Sequence, residues 1–199
     1  RVAAFVVAGG QGSRLGYDGP KGAYRMSPVK NKSLFQIHAE KVKKYSMKYG
    51  VSVPFFIMTS DVNHEATVAH FEENDWFGLH KKDVFIFPQN MIPSLDAEGK
   101  LILSGKGNIF KNPDGHGGSL TALRTSGALD EMKKRGIEVI SYFQVDNPMV
   151  SILDPVFVGY HHIEKAEVSS KALLKAYAEE KVGVFVRWKD GREGVVEYS

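Results

Sequence analysis

Two patterns alternate along the chain. Short runs are apolar at successive positions, and between them apolar residues recur at three- and four-residue spacing. "RVAAFVVAGG" (1–10), "VPFFIMTS" (53–60), "DVFIFPQ" (83–89) and "EVISYFQVDN" (138–147) are of the first kind. They are rich in β-branched and aromatic residues and bounded by Gly, Pro, Asn or Ser, which predicts strands buried on both faces. "SLFQIHAEKVKKYSMKYG" (33–50) is of the second kind, with Leu34, Ile37, His38, Lys41, Val42, Tyr45 and Tyr49 on one stripe. Ser33 is its expected N-cap and Gly50 its expected stop. "NHEATVAHFEEND" (63–75), "GGSLTALRTSGALDEMKKRG" (117–136) and "DPVFVGYHHIEKAEV" (154–168) each predict one further helix. "SLDAEGKLILSGKGNIF" (94–110) predicts a small hairpin turning at Glu98-Gly99, and "VGVFVRWKDGREGVVEYS" (182–199) a closing hairpin turning near Asp190-Gly191.

Continuous apolar strands alternating with helices predict an α/β fold with a mainly parallel sheet covered on both faces. The segment 88–118 is rich in Gly, Pro and Asn and poor in predicted regular structure, a composition that often marks a functional loop. There are no internal repeats and no low-complexity tract.

Composition narrows the class. The 199 residues suffice for one large domain, and 43% hydrophobic with 25% charged residues is ordinary for a globular protein. No run of about 18 apolar residues suggests a membrane partner, and no signal peptide is visible. Zero cysteines exclude thiolate catalysis and cysteine–zinc sites and suit a cytoplasmic location. The +3 formal charge is mixed along the chain, with only short basic pockets such as "KVKK" and "MKKRG". That distribution argues against a nucleic-acid partner. The chain begins at Arg1 and ends in a strand-like run, so residues 1–199 are expected to be one catalytic domain cut from a longer polypeptide.

The candidate chemistry gathers after the first strand. "AGGQGSRLGYDGPKG" (8–22) combines glycines with Arg14 and Lys21. In an open parallel sheet, ligands sit at the carboxyl ends of strands. Gly9, Gly10 and Gly12 would let backbone N–H groups approach phosphate oxygens. Three readings compete. A dinucleotide site wants GxGxxG, and here the third glycine falls one residue late; Asp61, its candidate ribose acid, lies further off than the usual spacing of about 20. A P-loop wants a terminal Gly-Lys-Ser/Thr, which is missing. The third is a nucleotidyltransferase loop, G-G-x-G-x-R-x-G followed by P-K.

That third pattern resembles the eukaryotic-type UDP-N-acetylglucosamine and UDP-sugar pyrophosphorylases. Beyond "AGGQGSRLG…GPKG", the segments "PQNMIPSLDAEGKLIL", "NPDGHGGSLTAL", "QVDNPMVSILDP" and "KVGVFVRWKDG…VVEYS" are similar to that family's motifs, in family order, over essentially the whole chain. The resemblance implies a Rossmann-like three-layer nucleotide-diphospho-sugar transferase (GT-A-like) fold. It implies UTP and a sugar 1-phosphate as substrates, a UDP-sugar and pyrophosphate as products, and Mg²⁺ as cofactor. Ala8, Gly9 and Gly10 would lie against uracil and ribose, and Gly12 and Arg14 against the outer phosphates. Lys21 would reach the α-phosphate, aimed by Pro20. Gln89 would pair with uracil, beside Met91 and Pro93. Gly115 and Gly117 would touch base and ribose. His116 would face nucleotide and sugar together, where N-acetylglucosamine-specific relatives usually carry Asn and relatives acting on glucose or galactose often carry His. Asp146 would hold Mg²⁺, Asn147 would position the sugar phosphate, and Gly183 and Glu197 would line the sugar site.

Each residue also has a plain reading. Arg14 and Gln89 can be ordinary surface side chains, His116 a helix cap, Asp146-Asn147 a turn and Glu197 a solvated charge. His161 and His162 are expected on helix surface, since adjacent positions point to different faces.

Overall fold

The computed structural model describes residues 1–197. The chain divides into two compact units, Arg1–Gly159 and Tyr160–Ser199.

The first unit is built on β1 (Val2–Val7), β2 (Phe55–Thr59), β3 (Val84–Pro88) and β8 (Val139–Gln144), in spatial order β3-β2-β1-β8. All three pairings are parallel, with Val6 opposite Ile57 on one side and Phe143 on the other. Alternate residues of β1 serve opposite faces. Ala4 and Val6 join Phe55, Ile57, Phe35, Val42 and Phe71 in one core, under α1 (Leu34–Tyr49) and α2 (His64–Glu73). Ala3 and Phe5 join Phe56, Met58, Ala122, Leu123 and Met132 in the other, under α3 (Gly118–Thr125) and α4 (Ala128–Lys134). The result is the expected three-layer α/β arrangement. Each large apolar side chain so buried contributes about 1.5–3 kcal/mol.

α1 begins and ends where its sequence indicates. The Ser33 hydroxyl accepts the Gln36 N–H at 3.1 Å, and Gly50 closes the helix with φ 62°. The stretch 117–136 differs from expectation: it forms two helices, not one. Ser126 and Gly127 break it, with Gly127 at φ 78°. Gly is a poor helix former, and this left-handed turn re-aims the chain so that Ala128 and Met132 reach the sheet. β8 also differs: it is an edge strand, with Phe143 buried but Ile140 and Tyr142 38% and 45% exposed. On the α3–α4 side β8 is only partly covered: the Tyr142 ring stands edge-on to Phe5, with centroids 5.5 Å apart, and still keeps nearly half its surface exposed.

The segment after β3 holds more structure than composition indicates. Leu95 and Leu101 bridge around the turn at Glu98-Gly99, as expected. In addition β4 (Met91–Pro93) pairs with β7 (Lys111–Pro113), and β5 (Leu103–Gly105) pairs with β6 (Asn108–Ile109) around Gly107. These strands are too short to show period-2 alternation, so no sequence window could reveal them.

α5 (Pro155–Ile163) starts with its Val156 N–H on the Asp154 carboxylate at 3.1 Å. In the second unit, β9 (Val184–Arg187) and β10 (Glu193–Val196) form the expected antiparallel hairpin, with Gly191 at φ 87° in its turn. Among the described residues no helix is long and apolar enough to cross a membrane.

Candidate functional site

The glycine-rich loop leaves β1 at the carboxyl end of the sheet. It folds back on itself: the Gly12 N–H donates to Gly19 O at 2.9 Å, and the Lys21 N–H to Gly10 O at 3.0 Å. Its tip is a 3-10 turn, Ser13–Leu15, closed by Gly16 at φ 66°. Arg14 stands exposed on that turn. Among the described residues, no acceptor takes the N–H of Gly9, Gly10, Gln11, Ser13 or Arg14. Unspent donors in succession form the kind of concavity that binds anions. Gly12 has its own N–H committed, and its bare Cα is needed for packing, since a Cβ there would lie 2.8 Å from the Tyr17 ring.

Lys21 and Asp146 meet. Lys21 Nζ is 3.1 Å from Asp146 Oδ2, with the two side chains 25% and 46% exposed. The lysine stem runs over Gly10, where a Cβ would sit 3.7 Å from Lys21 Cε. Asp146 follows β8, whose ladder continues with Val145 N–H donating to Val7 O at 3.1 Å. The backbone around Asp146 is fastened from α1. His38 Nε2–H donates to Val145 O at 2.9 Å, and Lys41 Nζ donates to the carbonyls of Pro148 and Val150, the latter at 2.8 Å. Burial pushes the His38 imidazole down to about 4, against the opposing pull of the Val145 carbonyl. The ring is therefore neutral near pH 7. Asn147 Oδ1 accepts the Met149 N–H at 3.2 Å and so helps close the turn after Asp146.

Among the described residues no group of three or more His, Asp or Glu side chains is gathered to hold a metal. One half-exposed carboxylate beside an anion-binding loop fits a hard cation that draws its other ligands from phosphates and water.

Gln89 lies on the opposite flank. It is 7% exposed rather than on the surface. Its N–H donates to Thr59 O at 2.8 Å, and a Cβ at Gly9 would come within 2.6 Å of its Nε2. The amide therefore packs directly on the loop backbone at Gly9, and a side chain there would displace it. At the start of α3, Gly115 takes φ 72°. A Cβ at Gly118 would lie 1.9 Å from the Asp114 carboxylate, which would have to swing away to admit one. His116 is tied down twice: its Nδ1 pairs with the Tyr142 hydroxyl, and its carbonyl accepts the Ser119 hydroxyl at 2.6 Å. The second contact gives it a share in starting the helix. Gly117 is the N-cap position.

Ala8, Gly9, Gly10, Gly12, Lys21, Gln89 and Asp146 are therefore brought to one end of the sheet, and Tyr142 links His116 to the strand leading to Asp146. Gly183 and Glu197 lie together in the second unit, a Cβ at Gly183 falling 3.5 Å from Glu197 Oε1. Asp61, the acid a dinucleotide site would require, is exposed in the turn between β2 and α2. Sequence reading missed Asn63, Ser60, Tyr142, His38 and Lys41. His38 and Lys41 do carry a signal: they sit three apart on the buried stripe of α1, where an apolar pair would be expected.

Comparison with known proteins gives the same direction. The sequence profile of the UTP–glucose-1-phosphate uridylyltransferase family matches residues 1–199. A mouse protein, UDP-N-acetylhexosamine pyrophosphorylase-like protein 1, is 40% identical over 205 residues, which is all of this chain and 40% of that protein. UDP-N-acetylglucosamine diphosphorylase 2 of Arabidopsis thaliana is 39% identical over 211 residues, covering all of this chain and 42% of its own length. The crystal structure of the Trypanosoma brucei UDP-N-acetylglucosamine pyrophosphorylase in complex with inhibitor superposes with a TM-score of 0.90 at 36% identity, over 99% of this chain and 42% of that one. The chain thus spans less than half the length of these relatives.

Proposed function

The chain belongs to the UTP–glucose-1-phosphate uridylyltransferase family, and from that premise we propose that it carries the nucleotide-handling part of a UDP-sugar pyrophosphorylase. The reaction joins UTP to a sugar 1-phosphate (N-acetylglucosamine, glucose or galactose 1-phosphate) and releases pyrophosphate. One observation carries the proposal: the Lys21 ammonium 3.1 Å from the Asp146 carboxylate, at the mouth of a loop whose N–H groups at Gly9, Gly10, Gln11, Ser13 and Arg14 are unspent.

In the reaction, a phosphate oxygen of the sugar 1-phosphate forms a bond to the α-phosphorus of UTP. The bond from that phosphorus to the bridging oxygen breaks, and pyrophosphate leaves with the electron pair. The nucleophile is already an anion, so no general base is required. Catalysis is positioning plus stabilisation of developing charge. Lys21 serves the α-phosphate, Arg14 and the loop N–H groups serve the outer phosphates, and Gln89 offers both a donor and an acceptor to the uracil edge. Asp146 would hold Mg²⁺ together with phosphate oxygens, and when bound the ion neutralises phosphate charge. Lys21 and Asp146 share one contact in the free protein, which leaves two ammonium donors and the second carboxylate oxygen for substrate and ion. Asn147 and His116 would serve the sugar side.

The test is pyrophosphate release by the full-length protein with UTP and Mg²⁺, with each of the three sugar 1-phosphates in parallel. Release with any of them is expected. Its absence from a folded protein that binds UTP overturns the enzymatic reading. The fastest sugar decides whether His116 marks a shift away from the acetamido substrate.

A further inference from the structure

The turn between β2 and α2 holds a buried polar pair that the reaction scheme does not use. Asn63 is 0% exposed and Ser60 3%. The Asn63 Nδ2 donates to Ala8 O at 2.9 Å and to Gly10 O at 3.2 Å. Ser60 Oγ lies 2.9 Å from Gly9 O. Asn63 Oδ1 accepts the Ser60 N–H at 2.8 Å, and it is 3.1 Å from Ser60 Oγ, which has one proton for the two acceptors. The orientation of the amide is settled by its partners, because an N–H donates to one end and two carbonyls accept from the other.

Three consecutive carbonyls of the glycine-rich loop, those of Ala8, Gly9 and Gly10, are therefore all turned toward one turn. A trans peptide is planar, with its N–H pointing opposite to its C=O. Holding those three carbonyls inward turns the N–H groups of Gly9, Gly10 and Gln11 outward. These belong to the set that no acceptor takes among the described residues. The same contact reaches the catalytic lysine, since Gly10 O also accepts the Lys21 N–H. Thr59, the residue before Ser60, holds the Gln89 backbone through its carbonyl. One turn thus fixes the loop and the amide beside it.

We infer that Asn63, with Ser60, is the positioning element of the nucleotide loop: it clamps the loop carbonyls and thereby aims the phosphate-binding N–H groups. This rests on the function proposed above. Asparagine is required because no other side chain of its length presents two donors and an acceptor on one plane. Aspartate lacks the donors, and leucine of similar shape has neither. Both are buried behind the loop, so they act through it as positioning residues and not as catalytic ones.

The experiment uses the full-length protein with Asn63→Ala and Ser60→Ala. It reads UTP affinity by calorimetry, KM for UTP and for sugar 1-phosphate, melting temperature, and amide hydrogen exchange at Gly12 and Lys21. For Asn63→Ala the UTP Kd and KM are expected to rise roughly tenfold or more, since two buried carbonyls lose their donors. KM for the sugar phosphate should stay within about twofold, and exchange at Gly12 and Lys21 should quicken. Ser60→Ala should show the same pattern at smaller size. A folded Asn63→Ala variant with UTP affinity within about twofold of the parent overturns the inference. If Asn63→Ala does not fold, Ser60→Ala decides: weakened UTP binding with faster loop exchange supports the clamp, and unchanged values overturn it. A parent that binds no UTP overturns the proposed function instead. In that case the exchange at Gly12 and Lys21 decides the clamp by itself.

Discussion

Lys21 is fixed at both ends. Its N–H is on Gly10 O, Pro20 ahead of it holds φ at −58°, and its ammonium rests on Asp146. The next residue pins the loop root to the core, because a Cβ at Gly22 would lie 2.3 Å from the Phe35 ring. The Pro-Lys-Gly run therefore aims one cation from a rigid base, which is what stabilising charge at a departing pyrophosphate requires. Lys21→Ala is expected to lower the rate of pyrophosphate release on the order of a hundredfold. A loss of less than a few-fold would remove Lys21 from the catalytic set. Lys21 was legible because its motif is local. Asn63 was not, because nothing in "TSDVNHE" shows that its partners are the carbonyls of Ala8 and Gly10 in the loop after β1.

At the scale of the element, α1 does more than cover the sheet. Capped by Ser33, it carries His38 and Lys41 to the carbonyls that flank Asp146. Burial lowers the His38 pKa from 6.5 to about 4. Between those values the unfolded chain binds a proton that the folded one refuses, so stability falls as pH drops. The contribution is fully present above about 6.5 and is lost as pH falls toward about 4, and it amounts to on the order of 3 kcal/mol. Urea midpoints taken from pH 7.5 down to 4.5 should fall steeply in the parent chain and more gently in His38→Gln. Equal slopes in the two proteins would mean that His38 does not govern the acid limb. The same helix shows why the stripe 34–49 reads as plain core in sequence: a buried histidine and a part-buried lysine satisfy the 3/4 spacing as well as apolar residues do.

At the scale of the molecule, most of the second unit ahead of its hairpin is a stretch of little regular structure. Residues 164–183 contain no helix or strand, and Lys165, Lys171, Lys175 and Lys181 are exposed within them. Exposed backbone outside regular elements is where proteases cut first. Brief trypsin treatment of this chain should cleave within 165–181 and leave a fragment that retains Arg1–Gly159, identified by mass spectrometry. Early cleavage inside α1 would contradict the division into these units.

The sequence alone determined the parts that depend on near neighbours. Continuous apolar runs specified the four parallel strands, and Ser33 and Gly50 the bounds of α1. Glycine spacing specified the tight loop that carries Arg14 and Lys21, because turn chemistry and caps act over a few residues. Tertiary structure decided what depends on long-range partners. It made β8 an edge, broke 117–136 at Gly127 to fit Met132 against the sheet, and folded 91–113 into short antiparallel pairs. It also brought Lys21 to Asp146 and placed Gln89 against Gly9. Above all it put Asn63 on the carbonyls of Ala8 and Gly10. A buried amide can be placed only once the two carbonyls it satisfies lie against it, and in this chain Ala8 O and Gly10 O reach Asn63 only when β1 and β2 pair.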